Sequence, residues 1–255
     1  MTIIYSSFVS KSLTKNVLLL YMNLIYVTGV LSLVIQIVTL IFDIYVVSMK
    51  FNPLLSFIKN LLWIEIWVQI VEGTFYLWLV TNFAKIGNVT KYRYYDWIIT
   101  TPTMLFTFCM YLYYINTKDA KNTKDGRTFY EIVESNIFDL LPIFILNTSM
   151  LFFGYLAEIG KINAMTGAVF GFIPFVMFFY LIYETYAKYT NIGKITFTYF
   201  ISIWSLYGFA SVLSYKYKNM IYNILDLFAK NFFGLFLALV LLYNKPLHIQ
   251  NADYI

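Results

Sequence analysis

Lys230 stands in a segment, residues 221–243, that is otherwise apolar apart from Asn223, Asp226 and Asn231. A cationic side chain near the middle of a membrane-length span costs about 3 kcal/mol on insertion scales, so something must neutralise it or use it. Asp226 lies four residues earlier, one helical turn away on the same face, where a carboxylate can pair with it. A primary amine in an apolar pocket is also the nucleophile that condenses with an aldehyde to a Schiff base. The pair therefore reads as a covalent anchor with its counterion. From this segment alone, a structural ion pair between helices is the alternative.

Two further polar stripes accompany it. Arg93, Asp96, Thr100 and Thr107 are spaced three, four and seven residues apart, which places all four on one side of a helix. Arg93 and Asp96, with Asp226 and Lys230, make two carboxylates shared by two cations, a balance in which no charge stands alone. Glu65 and Glu72 are seven residues apart, hence on one face and about 10.5 Å apart along a helix axis. Gln69 and Tyr76 lie on or near that face, each four residues from one of the glutamates. Such acids are expected to face a bundle interior, as a proton relay or as the lining of an ion path. Neutral, hydrogen-bonded acids that fix helix packing are the other reading. Asp43, Asp119, Asp125, Glu131, Glu134, Glu158 and Glu184 fall at or beyond the span ends and are expected to be solvated.

The elements that must position these groups are helices in a membrane. The chain has 255 residues, 60% of them hydrophobic and 12% charged, with a mean hydropathy of +0.70. That composition excludes a soluble globular domain. Each span needs roughly 20 apolar residues, and seven candidates are found, at about 17–42, 54–83, 92–115, 135–158, 163–187, 195–215 and 219–243. The intervening loops are too short for a second domain. The prediction is an all-α, seven-transmembrane-helix bundle over residues 1–255, with an N-terminal segment 1–16 and a C-terminal tail 244–255. The first helix is expected to serve as its own insertion signal. With the N-terminus outside, nine Lys/Arg face the cytoplasm and seven the exterior, a lean towards positive-inside. The net charge of +5 suits loops facing anionic lipid and gives no sign of nucleic acid. His248, the only histidine, sits in the tail, and Cys109 is the only cysteine, so neither a metal centre nor an internal disulfide is expected. No pattern for hydrolytic or phosphoryl-transfer chemistry occurs, and no enzyme activity is expected.

Four segments carry a resemblance. Arg93-Tyr94-Tyr95-Asp96-Trp97-Ile98-Ile99-Thr100-Thr101-Pro102 resembles the third-helix signature of the microbial (type 1) rhodopsins, and Asp226-Leu227-Phe228-Ala229-Lys230 resembles their seventh-helix retinal-attachment motif. Trp204-Ser205-Leu206-Tyr207 is similar to their sixth-helix pocket motif, and Asn147-Thr148-Ser149-Met150 with Gly154 to the fourth-helix pocket segment. The resemblance implies all-trans retinal bound covalently to Lys230 as a protonated Schiff base. It makes Asp96 the primary counterion and proton acceptor, Asp226 the second counterion, and Arg93 their partner. Trp97 and Trp204 would flank the polyene, with Met104 beside it. Tyr76 and Tyr207 would hydrogen-bond around Asp226, and Met150 and Gly154 would shape the ring end. Asn147 replaces a family aspartate, so the latch between the third and fourth helices would be Thr101–Asn147.

The departures bear on what light does. Thr107 occupies the place where family pumps carry a reprotonating carboxylate, and threonine cannot supply that proton at neutral pH. Gly208 and Ser211 stand where many relatives have proline and tryptophan. Glu72, Glu65 and Asn231 fall where channelrhodopsins carry two pore glutamates and the asparagine after the retinal lysine. The short loops and this pair of glutamates look most like the group 1 viral rhodopsins. The function this implies is a light-gated cation channel passing monovalent cations or protons. Its gate would be Ser32, Glu72 and Asn231, with Thr28 or Thr39 as substitutes for the serine. An outward proton pump, or a sensor acting through a partner, are the alternatives. The implied setting is a lipid bilayer, as a multi-pass protein and homo-oligomer, in a host-cell membrane if the viral likeness holds.

Overall fold

The computed structural model describes the backbone of residues 2–118 and 128–244, and side chains over 24–116 and 128–244. Asp119, Asp125 and the tail with His248 lie outside the described residues. Seven helices follow one another: α1 (Thr2–Val47), α2 (Ser56–Asn82), α3 (Thr90–Lys118), α4 (Phe129–Glu158), α5 (Ala164–Ala187), α6 (Asn191–Ser211) and α7 (Tyr215–Asn244). Each packs on the next, and α7 closes the ring against α1. Six of them are long and apolar enough to cross a membrane. The seventh, α6, is diluted by Thr196, Thr198, Ser202 and Ser205.

The loops α2–α3, α4–α5 and α6–α7 lie on one face of the bundle, called here the first face. The loops α1–α2, α3–α4 and α5–α6 lie on the second. Local chemistry marks the helix starts. Thr128 and Glu131 form a reciprocal capping box on α4, and Asn163 and Thr190 accept from the backbone N–H groups of Thr166 and Gly193. Gly160, with φ of 74°, supplies the left-handed turn after α4 that other residues avoid.

Helix α1 runs five residues beyond the expected end at 42, to Val47, and its polar face explains why that matters. Ser32, Gln36, Thr39 and Asp43 repeat at four, three and four residues and are all buried, while Val34, Val38 and Ile41 between them face outward. Asp43 is therefore not a solvated residue at a span end: it is fully buried within the helix, against α2. Glu158 departs from the solvated expectation too, pairing at 2.8 Å with Lys218 in a mostly buried contact. Glu131 and Glu134 are exposed, and half-exposed Glu184 accepts from Lys188 at 2.7 Å. That bond holds the Lys188 ammonium above its ordinary pKa.

The main apolar core lies towards the second face and draws on all seven helices, from Val46 and Leu61 to Phe178, Phe200 and Leu237. Phe108 and Phe200 stack at 4.0 Å between ring centroids, and Phe233 of α7 packs edge-on against Phe200 at 4.9 Å. The buried acids of the second-face half and most of its buried amides, Gln36, Asp43, Glu65, Gln69 and Asn231, lie on α1, α2 and α7.

Candidate functional site

Lys230 lies in a π-helical turn of α7, Leu227–Asn231, in which the Phe232 N–H reaches back five residues to the Leu227 carbonyl. Such a turn widens the helix and is a common device at functional sites. Both Lys230 and its neighbour Asn231 are buried. Lys230 Nζ donates to Asp96 Oδ2 at 2.6 Å, with Glu72 Oε1 at 3.5 Å and Asp226 Oδ1 at 3.7 Å. Arg93 Nη1 lies 3.3 Å from Asp226 Oδ2. The expectation had two carboxylates between two cations. Glu72 is a third, supplied by α2, so one carboxyl of the group has no cation of its own.

Asp226 is held from both sides. The hydroxyls of Tyr76 and Tyr207 each donate to it at 2.7 Å, on separate oxygens. Towards the first face, Arg93 also bonds Tyr76, Asn219 and Asn223. Asn223 in turn donates to Thr28 Oγ1 at 2.8 Å and to the Ile25 carbonyl at 3.1 Å, which ties α1, α2, α3 and α7 together. The sequence reading gives neither Asn219 nor Asn223 a role. Their spacing of four, followed by three and four to Asp226 and Lys230, is the same one-face pattern and could have found them.

The proposed gate residues do not all meet. Ser32 Oγ donates to the Asn223 carbonyl at 2.7 Å, on the first-face side of Lys230. It is Thr39 that reaches Asn231, donating to Oδ1 at 3.0 Å. The reason is register: Asn231 lies eight residues along α7 from Asn223, and Thr39 lies seven along α1 from Ser32, about 10.5 Å further through the membrane. Of the first-helix candidates, Thr39 stands at the level of Asn231 and Thr28 and Ser32 at that of Asn223.

Glu65 accepts from the Thr107 hydroxyl of α3. Asn147 Nδ2 donates to Thr101 Oγ1 at 2.9 Å, joining α3 to α4. A cavity opens beside Lys230, lined by Trp97, Thr101, Met104, Met150, Trp204 and Tyr207. Gly154 and Gly208 belong to its wall, and aromatic groups occupy the space their side chains would need. A Cβ on Gly154 would lie 2.6 Å from the Tyr94 hydroxyl, and one on Gly208 would lie 2.5 Å from the Phe172 ring.

The family model described as bacteriorhodopsin-like protein matches residues 21–243. This chain belongs to that family. Among solved structures, the viral rhodopsin OLPVRII is similar, at 26% identity over 85% of this chain and 97% of that one, with a TM-score of 0.72. Blue light-absorbing proteorhodopsin from Med12 shares the fold at 20% identity, covering 87% of this chain and 98% of that one, TM-score 0.67. So does xanthorhodopsin, described as a light-driven ion pump with dual chromophore, at 14% identity over 89% and 95%, TM-score 0.67. Among curated proteins none matches the sequence. The chain is a microbial rhodopsin with a viral rhodopsin among its neighbours, and its family carries retinal. The residues present fit that group. An apolar cavity with two tryptophans ends at a buried primary amine whose nitrogen faces carboxylates, and the buried Trp204 Nε1 has no hydrogen-bond partner among the described residues.

Proposed function

We propose that this rhodopsin is a light-gated cation channel, with retinal bound to Lys230 and the second face in the cytoplasm. What supports the reading above all is a line of buried polar atoms on α1, α2 and α7 that starts beside Lys230 and continues towards the second face. Both oxygens of Glu72, both amide atoms of Gln36, Asn231 Nδ2, Gln69 Oε1, Glu65 Oε2 and Asp43 Oδ1 have no hydrogen-bond partner among the described residues. Buried polar atoms are nearly always hydrogen-bonded, to protein or to ordered water. A file of them that the protein leaves unmatched is a route that water and a partly hydrated cation can occupy.

Bound retinal supplies the absorption of light and a change of shape at the Lys230 nitrogen. The rest is done by the chain. Asp96 Oδ2, 2.6 Å from Lys230 Nζ, is placed to take a proton from that nitrogen. Loss of the charge on Lys230 removes the cation that Glu72 faces at 3.5 Å and Asp226 at 3.7 Å. Glu72 is then released from its hold on α7, next to the Thr39–Asn231 bond that joins α1 to α7. Separation at that level connects the polar line to the first-face half. Acids along the route attract cations and oppose anions.

An outward proton pump has one observation in its favour. The Glu65–Thr107 bond places a carboxyl beside the third-helix position where family pumps keep a proton-supplying acid. Whole-cell voltage clamp with retinal, in asymmetric sodium and proton gradients, separates the two. A photocurrent that reverses with the gradients is the expected result. An outward current that never reverses gives the pump. Glu72→Gln is expected to alter reversal potential or closing kinetics, and a variant unchanged in both would remove Glu72 from the gate.

A further inference from the structure

One buried acid is used neither by the Lys230 cluster nor by the gate. Asp43 is fully buried on α1, one helical turn beyond Thr39, and so lies about 6 Å further towards the second face. Its Oδ2 accepts from Gln69 Nε2 at 2.6 Å. Gln69 sits on α2 midway between Glu65 and Glu72, on the stripe that all three share. On the remaining side is α7, and there the residue is Gly234. A Cβ at that position would strike Gln69 Nε2 and would lie 2.6 Å from Asp43 Oδ2. The α7 backbone itself is thus drawn against the pair, and three helices meet at one narrow level.

The chemistry of that level is acidic and unneutralised. Asp43 and Glu65 have no ion-pair partner among the described residues. Asp43 Oδ1, Gln69 Oε1 and Glu65 Oε2 are buried oxygens without a hydrogen-bond partner among the described residues. Two uncompensated acids inside a membrane helix bundle are costly, and a packing role would be served as well by apolar side chains. Oxygen atoms in this number, narrow spacing and no fixed cation are the makings of a place where a passing cation exchanges part of its water shell for protein oxygen.

We propose that Asp43 is a selectivity-determining residue of the ion path, acting with Gln69 in a second-half constriction that α7 closes at Gly234. The proposal rests on the channel reading above. The test is the reversal potential of the photocurrent in the retinal-loaded protein, for wild type, Asp43→Asn, Asp43→Glu and Gly234→Ala, with Glu134→Gln on the exposed face of α4 as control.

A cleft lined by one sign of charge raises local counter-ion concentration by about tenfold or more. Asp43→Asn is therefore expected to lower sodium permeability relative to protons by about tenfold, at an unchanged absorption band. Asp43→Glu keeps the wild-type order, and Gly234→Ala, whose methyl pushes into the Asp43–Gln69 pair, cuts the current. A wild-type current that reverses, together with an Asp43→Asn reversal potential equal to it, overturns the proposal and leaves the channel reading standing. If Asp43→Asn does not accumulate, Gly234→Ala decides, and unchanged current and reversal potential there overturn it as well. A wild-type current that never reverses removes the channel reading and the proposal together.

Discussion

The two halves of this bundle treat their buried polar groups in opposite ways. On the first-face side of Lys230, the side-chain nitrogens and oxygens of Arg93, Tyr76, Asn219, Asn223, Tyr207 and Asp226 all have protein partners. On the second-face side, Gln36, Asp43, Glu65, Gln69, Glu72 and Asn231 each keep at least one atom without a partner among the described residues. The first set comes from α2, α3, α6 and α7 and the second from α1, α2 and α7, and both lie inside the bundle. What differs is saturation. A saturated network is rigid and specifies one arrangement, whereas an unsaturated one needs water and can rearrange at small cost. On the channel reading proposed above, the first half holds charge in place and the second admits ions.

The largest effect is expected where the halves meet. Lys230→Ala removes the amine proposed to bind retinal and leaves Asp96, Glu72 and Asp226 facing one another with Arg93 as their cation among the described residues. The visible absorption band should be lost whatever retinal is supplied. Leaving one member of a buried pair alone costs about 3–5 kcal/mol. Lys230→Ala with Asp96→Asn should therefore be more heat-stable than Lys230→Ala by itself, as read by the loss of helical circular dichroism on heating. Equal stability of the two would mean that the carboxyls were not held by Lys230.

A smaller effect, of opposite character in the two halves, tests saturation directly. Asn223 makes four interhelical side-chain bonds, to Tyr76, Arg93, Thr28 and the Ile25 carbonyl. At about 0.6 kcal/mol each within a membrane bundle, Asn223→Leu should cost about 2 kcal/mol, lowering the temperature at which the pigment bleaches by about 5 °C. Gln36 has an amide with both atoms unmatched. Replacing it by leucine removes a buried polar group of similar volume and should leave stability unchanged or raise it, while narrowing the polar line and reducing photocurrent. If Gln36→Leu is as destabilising as Asn223→Leu, the halves do not differ as the hydrogen bonds imply.

How far the sequence could be read follows the same division. The span positions are legible because apolar length alone dictates them, and α1 runs past its expected end at 42 with Asp43 buried inside the helix. The α2 and α3 stripes were legible from spacing, since a glutamate or an Arg–Asp pair in an apolar run is conspicuous. Lys230, Asp96, Asp226 and the tyrosines around Asp226 were placed by motif. Asn219, Asn223 and Gln36 are given no role by the sequence reading because uncharged polar residues are common in membrane helices, and Thr39 enters it only as a substitute for Ser32. Only their shared face, with the 4-3-4 spacing seen on α1, α2 and α7, sets them apart. Gly234 was not legible at all, since nothing in a sequence tells which side chains of two other helices will crowd one glycine.

The finest distinction is between Ser32 and Thr39, and it asks on which side of Lys230 the gate lies. Ser32 belongs to the saturated half through the Asn223 carbonyl, and Thr39 to the unsaturated half through Asn231. Thr39→Val keeps the shape of the side chain and deletes only its hydroxyl. One interhelical bond of about 0.6 kcal/mol corresponds to about a threefold change in rate. If the α1–α7 contact at Asn231 closes the path, Thr39→Val should slow channel closing by about that factor, because the closed state loses the bond and the open state does not. Ser32→Ala should leave closing kinetics as they are. Its carbonyl partner stays within the α7 backbone, and the Asn223 side chain keeps its bonds to Arg93, Tyr76 and Thr28. Decay of the photocurrent after a brief flash measures both. A Ser32→Ala channel that closes more slowly beside an unaltered Thr39→Val would move the gate to the first-face half. The saturated network would then be the part that opens, and the unmatched acids below it only the route by which ions leave.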